Sequence, residues 1–95
     1  MSWELKYDPD VREYLKSLDD HILTRVEKSA RRLKKSPRLG KQLKGFTSTT
    51  RSYRLGTPGG EFRIIYELIE EDKVVFIFLI GPRDDIYDEL ERREN

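Results

Sequence analysis

The sequence predicts an α+β fold: an N-terminal strand, two helices packed on one face of a mostly antiparallel sheet, a three-strand meander and a short C-terminal helix. Three observations predict it. Apolar residues alternate with period two at the N-terminus, they recur at helical spacing from Val11 to Leu33, and two turn signals, "GTPGG" and "EED", divide the apolar second half into hairpins. A length of 95 residues suits a single domain, 1–95, with one modest core. No internal repeat or low-complexity segment interrupts it.

In "SWELKYD" the residues Trp3, Leu5 and Tyr7 alternate with polar ones, the pattern of a short strand with one buried face. Asp8 or Asp10 can cap the next segment, with Pro9 early in a helix of about three turns carrying Val11, Tyr14, Leu15 and Leu18. Asp19 and Asp20 open the second helix, where negative charge suits the helix dipole. Its stripe of Ile22, Leu23, Val26, Ala30 and Leu33 leaves Arg25, Lys28, Arg31, Arg32 and Lys35 outward, and Ser36-Pro37 ends it. "PRLGKQLKGFTSTT" has no sustained period and reads as a loop carrying Lys41 and Lys44 toward the sheet. "RSYRL", "EFRIIYELI" and "KVVFIFLI" are the three strands of the meander, and "DDIYDELERRE" is the C-terminal helix.

Composition narrows the functional classes. Apolar residues make up 36% and charged residues 39% of the chain, a soluble balance, and the longest apolar run, Val74 to Ile80, is far too short to cross a membrane. Without cysteine there is no disulfide framework and no thiolate metal site, and "MSWELKYDPD" has no signal-peptide core, so a cytoplasmic setting is expected. The net charge of +1 conceals a segregation: from Arg25 to Arg54 eleven Lys and Arg face one acid, Glu27, a net of +10, leaving −9 for the remainder. A block this dense is the electrostatic footprint of a polyanion binder, with a merely solvated helix face and loop as the alternative.

If the hairpin folds symmetrically about Pro58 and Gly59, Leu55 opposes Phe62 and Arg54 stands opposite Arg63. Like charges so placed are destabilising by about 0.2 to 1 kcal/mol, and the pair makes sense mainly with an anion between them. Counting from a turn at Glu71 puts Phe62, Ile64, Tyr66 and Leu68 on the helix-packed face with Val74, Phe76, Phe78 and Ile80. The other face then carries Arg63, Ile65 and Glu67 beside Val75, Ile77 and Leu79. The C-terminal helix covers that second face in part, and what remains is either a protein-binding surface or simply the bed of that helix.

Common catalytic constellations are missing. The single histidine, His21, belongs to no motif and reads as structural; metal ligands are lacking, and "GTPGGEF" is no nucleotide loop. No cofactor is expected. What remains, arginines, lysines and a tyrosine, suits RNA cleavage by attack of a ribose 2′-hydroxyl on its own phosphate. That reaction needs in-line geometry, cations on the phosphate and two proton transfers, but neither metal nor enzyme nucleophile.

"GEFRIIY", Gly60 to Tyr66, the "GPRDDIY" segment and the link "LKKSPRLGKQLKG" together resemble the RelE/ParE toxin superfamily of toxin–antitoxin systems, over nearly the whole chain. The resemblance implies a toxin partnered by a cognate, RelB-like antitoxin in a hetero-oligomer, with the antitoxin wrapping the sheet and displacing or neutralising the basic site. RelE-type members are ribosome-dependent ribonucleases that cut messenger RNA; ParE-type members poison DNA gyrase without catalysis. By that resemblance Arg63 and Arg83 would stabilise the phosphate, and Tyr87 would stack on the base or move a proton. Arg54 matches a basic strand position. A second basic position is Ser52 here, with Arg51 beside it, which leaves the general base open. Arg31, Lys35, Lys41, Lys44 and Arg51 would face RNA. Having Arg63, Arg83 and Tyr87 together favours the ribonuclease branch over a gyrase inhibitor or a non-toxic nucleic-acid-binding module.

Overall fold

A computed structural model describes residues 3–43, 49–82, 86, 88–90 and 92. Strand β1 is Glu4–Tyr7, helix α1 is Pro9–Lys16 and helix α2 is Asp20–Lys35, followed by a 3-10 turn at Pro37–Leu39. Strands β2 (Lys41–Gln42), β3 (Thr50–Thr57), β4 (Gly60–Ile69) and β5 (Val74–Pro82) complete a five-stranded sheet of order β1-β5-β4-β3-β2. Only β1 and β5 run parallel. Ile86, residues 88–90 and Arg92 are helical, as expected for the C-terminal segment. No helix among the described residues is long and apolar enough to span a membrane.

Local chemistry explains the helix ends. Asp8 caps α1 by accepting the Asp10 amide at 2.9 Å, and Pro9 needs no partner for its nitrogen at the first position. The helix is shorter than the three turns expected. Ser17 turns both its amide and its hydroxyl onto the Tyr14 carbonyl, at 3.0 and 2.7 Å, so that Leu18 bonds Leu15 and the last turn tightens. Helix α2 buries Val26, Ser29, Ala30 and Leu33 and leaves its cations exposed.

Between the helices and the sheet lies the main core, in which Val11, Val26, Ala30 and Leu33 meet Leu55, Ile64, Tyr66, Leu68, Val75, Ile77 and Ile80. The β3–β4 hairpin turns on Pro58-Gly59, with Leu55 opposite Phe62 and Arg54 opposite Arg63, the register expected. Gly60 has φ +140°, a conformation side chains rarely adopt, which accounts for glycine there.

The β5 faces differ from the expectation. Ile69 pairs with Val74, Leu68 with Val75 and Tyr66 with Ile77, but Ile65 pairs with Leu79, so Phe78 is the extra residue of a bulge. Below the bulge the turn holds four residues, 70–73, one more than the "EED" about which symmetric counting ran. Val75 and Ile77 therefore join the helix-side core, while Phe76 and Phe78 stand on the opposite face with their rings stacked 6.4 Å apart. Part of that opposite face is covered: Ile86 and Leu90 pack on Ile65 and Leu79, with Leu43 and Phe78 alongside.

A second difference is β2, within the segment read as a loop. Two residues are too few for periodicity, and a tertiary contact holds them. The buried Tyr66 hydroxyl donates to the Pro37 carbonyl at 2.6 Å and accepts from the Gly40 amide at 2.9 Å, and Arg51 Nη1 donates to the Gly40 carbonyl at 2.5 Å. Lys41 and Gln42 then pair with Ser52 and Arg51. On the far side Trp3 donates its amide to the Lys34 carbonyl at 3.1 Å and lies beneath Arg38 and Lys73, at 6.0 and 5.2 Å. Arg38 also pairs with Glu70.

The Tyr66 contact yields two predictions. A Cβ on Gly40 would fall 2.7 Å from the Tyr66 hydroxyl oxygen and 2.8 Å from the Ser52 carbonyl oxygen. Gly40→Ala is therefore expected to lower the unfolding free energy in urea by about 1–3 kcal/mol. Burial raises the Tyr66 phenol above its ordinary 10.0, opposed by the Gly40 amide and the charge of Arg51, and an ionised oxygen would lose its bond to Pro37. The folded state then holds the proton more tightly than the unfolded chain, so this contribution is complete below pH 10.0 and is lost as pH rises through the folded value. Tyr66→Phe should lower neutral-pH stability by about 1–3 kcal/mol and flatten the alkaline decline, leaving the part due to Tyr7, which burial also raises.

Candidate functional site

Alternation along β3 sends Thr50, Ser52 and Arg54 to the sheet face away from the helices, together with Glu61, Arg63 and Ile65 of β4. The arginine pair is thus real, and an anion does lie between its members. Glu61, two residues before Arg63 on the same face, contacts Arg63 Nη2 at 2.8 Å through Oε2 and Arg54 Nε at 3.6 Å through Oε1. The three side chains differ in exposure: Arg63 is 14% exposed, Glu61 29% and Arg54 66%. The inner arginine is held and the outer one reaches solvent.

Arg54, Arg63 and Ser52 line a cleft of about 540 Å³ whose far wall is the Leu39–Leu43 segment, including the exposed Lys41. Two of its residues each keep a buried polar atom, Ser52 Oγ and Arg63 Nε, without a hydrogen-bond partner among the described residues. A buried donor in that state is expensive, by about 1–3 kcal/mol, and commonly marks a place where a ligand completes the network.

On the other side of β3 a smaller groove of about 250 Å³ runs between α2 and the strand, lined by Arg25, Lys28, Arg32, Tyr53 and again Arg54. Arg25 Nη1 donates to the Gly56 carbonyl at 3.3 Å, which ties the helix to the hairpin. Arg54 belongs to both hollows, so the two sets of cations meet across this edge of the sheet.

The residues expected to face RNA fall into distinct places. Lys41 lines the arginine cleft, while Arg31 and Lys35 are exposed on α2, outside both hollows, with Arg31 near Tyr7. Arg51 pairs with Tyr66 on the helix-side face and directs its guanidinium at the Gly40 and Arg38 carbonyls, at 2.5 and 3.3 Å, rather than joining the cleft. Lys44, Arg83 and Tyr87 lie outside the described residues. The strand residue Gly81, two before Arg83 in the chain, pairs with Arg63.

Sequence reasoning missed Glu61 as the partner of the arginine pair, although its position two residues from Arg63 on a strand was enough to find it. It placed Arg25, Lys28 and Arg32 on the outward face of α2 but not among the residues facing RNA, although their spacing of three and four residues sets them side by side. A third hollow, about 440 Å³, lies between α1, the end of β5 and the C-terminal helix. Among the described residues its wall carries Asp10, Asp88 and Glu89 with Arg92 as the cation opposing them, an acidic setting for a phosphate. Among the described residues no three His, Cys, Asp or Glu side chains come together as a metal site.

The profile of the ParE-like toxins of type II bacterial toxin–antitoxin systems matches residues 5–91. A form of the E. coli toxin RelE in the free state, with two arginines replaced by alanine, has a TM-score of 0.77 at 22% identity, covering 98% of each chain. At that identity the likeness is one of fold. The toxin–antitoxin complex RelBE2 from Mycobacterium tuberculosis gives 0.75 at 28% identity, over 87% of this chain and 100% of that one. The archaeal RelE–RelB complex from Pyrococcus horikoshii gives 0.66 at 27%, over 87% of this chain and 97% of that one. No curated protein matches the sequence. With the family profile spanning nearly all of its strands and helices, the chain belongs to the RelE/ParE superfamily, among the ParE-like toxins of type II bacterial toxin–antitoxin systems, and its structural likeness is to the RelE-like branch.

Proposed function

We propose that this protein is a toxin that cuts messenger RNA on the ribosome, in the cytoplasm, by directing a ribose 2′-hydroxyl onto its own phosphate. The observation that carries the reading is the opposition of Arg54 and Arg63 on one open face beside a cleft large enough for a nucleotide. In that reaction the 2′-oxygen bonds to phosphorus, the bond to the 5′-oxygen of the next nucleotide breaks, one proton leaves the 2′-hydroxyl and another reaches the 5′-oxygen. Negative charge grows on the two non-bridging oxygens. Planar guanidiniums in a partly buried setting meet that demand, and Arg63, only 14% exposed, is the better placed of the two to act in a site poor in water.

Arg83 is assigned the second clamp on the phosphate and Tyr87 a base-stacking or proton-moving role, both by likeness to the family. Lys41, with Arg25, Lys28 and Arg32 across β3 and Arg31 and Lys35 on the flanks, would follow the RNA backbone and the ribosomal surface, and Lys44 is assigned the same role as a member of the basic block. Their local charge matters there more than the net +1. The complexes from M. tuberculosis and P. horikoshii join toxin to antitoxin, which supports a RelB-like antitoxin partner for this chain, in a hetero-oligomer that masks the arginine face. The name of the matching family favours a second reading, gyrase inhibition.

Purified protein added to a translating extract is expected to produce message ends in phase with codons. Arg63→Ala should lower the cutting rate by about 100-fold or more while the folded state persists. Uncut messages with the natural protein, or cutting that survives Arg63→Ala combined with Arg83→Ala, would overturn the reading. Inhibition of DNA supercoiling that survives Tyr87→Phe would support the gyrase alternative.

A further inference from the structure

The anion between Arg54 and Arg63 is supplied by the chain itself. Glu61 neutralises a like-charge pair that the hairpin register forces together, but it does so incompletely. A carboxylate has two oxygens: one lies 2.8 Å from Arg63 Nη2, the other 3.6 Å from Arg54 Nε, and Arg63 Nε remains buried without a partner among the described residues. Five N–H donors on each guanidinium exceed what Glu61 can accept. A phosphodiester carries one negative charge on two non-bridging oxygens, as Glu61 does on its carboxylate, but it is not tethered to β4 and can settle against both guanidiniums, and the adjoining cleft of about 540 Å³ has room for it with Lys41 on the far wall.

We infer that Glu61 is the resident counter-ion of the arginine pair, and that a phosphate enters by exchange, taking over Arg63 and Arg54 as the carboxylate moves to solvent. This rests on the reading that the cleft receives a phosphate. Exchange makes Glu61 a determinant of specificity. A small free anion must displace a tethered carboxylate that is always present at high effective concentration. A phosphate within a polynucleotide does so with help from the cations that line the approach, Lys41 in the cleft and Arg25, Lys28 and Arg32 across β3. The site is thereby biased against inorganic phosphate and toward phosphodiesters in a chain.

The test compares the natural protein with Glu61→Gln, nearly isosteric but uncharged. Binding of inorganic phosphate is followed through the arginine Nε–H resonances, and binding of a 2′-deoxy oligonucleotide, which the site cannot cut, by fluorescence anisotropy. Glu61→Gln is expected to bind inorganic phosphate about three- to tenfold more tightly. It should narrow the preference for oligonucleotide over phosphate, and it should unfold at lower temperature in chloride while recovering more than the natural protein on adding phosphate. Adding Arg63→Ala should abolish the gain. Unchanged or weaker phosphate binding in Glu61→Gln, or a gain that persists without Arg63, would overturn the inference and make Glu61 a residue that merely orients Arg63. If Glu61→Gln does not fold, Glu61→Asp decides by the same criterion, because its shorter side chain loosens the contact while keeping the charge. Phosphate exchange in a protein that leaves messages uncut would overturn the cleavage reading and keep this inference; cut messages without any effect of Glu61→Gln on phosphate would do the reverse.

Discussion

The register of the β3–β4 hairpin is the constraint on which the rest of the molecule depends. Eight successive pairs, from Thr50 with Glu67 to Thr57 with Gly60, follow from a two-residue turn at Pro58-Gly59. Because side chains alternate strictly between faces, that one choice does three things at once. Leu55, Tyr53 and Arg51 go to the helix side with Ile64 and Tyr66; Ser52 and Arg54 go to the open side with Arg63; and Tyr66 reaches the turn after α2 to fasten it. A slip of one residue would exchange the contents of core and cleft.

Electrostatics on the open face follow from this geometry. Opposed arginines would be a liability in a sheet chosen for stability alone, and the chain answers with Glu61 rather than by replacing one of them. Orphaned polar atoms on Arg63 and Ser52 show the answer to be partial. The helix side uses its cations differently. There Arg51 donates through Nη1 to backbone carbonyls while its buried Nε lacks a partner among the described residues, Arg38 meets Glu70 and the Trp3 ring, and these cations serve structure. Charge of one sign within a single basic block thus divides into groups that hold the fold and groups left facing outward, and counting the block does not separate them.

The bulge at Phe78 performs a different division. By adding one residue to β5 between Tyr66 and Ile65, it keeps Val75 and Ile77 in the main core and still brings Leu79 to the open face, where Ile65, Ile86 and Leu90 form a second, smaller core. Without it the apolar run would send all its alternate residues to one side. The C-terminal helix is anchored here, on the same face as the arginines, so the open face is part apolar bed and part charged cleft.

Much of this was legible in the letters. The order of helices and meander strands, the capping of α1 by an aspartate next to Pro9, the single buried stripe of α2 and the opposition of Arg54 to Arg63 are local properties: periodicity, a capping residue and a tight turn, each set within a few residues of chain. The family resemblance added the reading of the arginines. Tertiary structure alone decided the faces of β5, since the bulge belongs to its pairing with β4 and alternation carries no mark of it. It also decided that Lys41 and Gln42 form a strand, because the Tyr66 hydroxyl and the Arg51 guanidinium that hold the adjoining Gly40 come from 26 and 11 residues along the chain, and that Glu61 reaches both arginines at once. Interactions within one turn or one hairpin are written in sequence spacing; those that close across the sheet are written only in three dimensions.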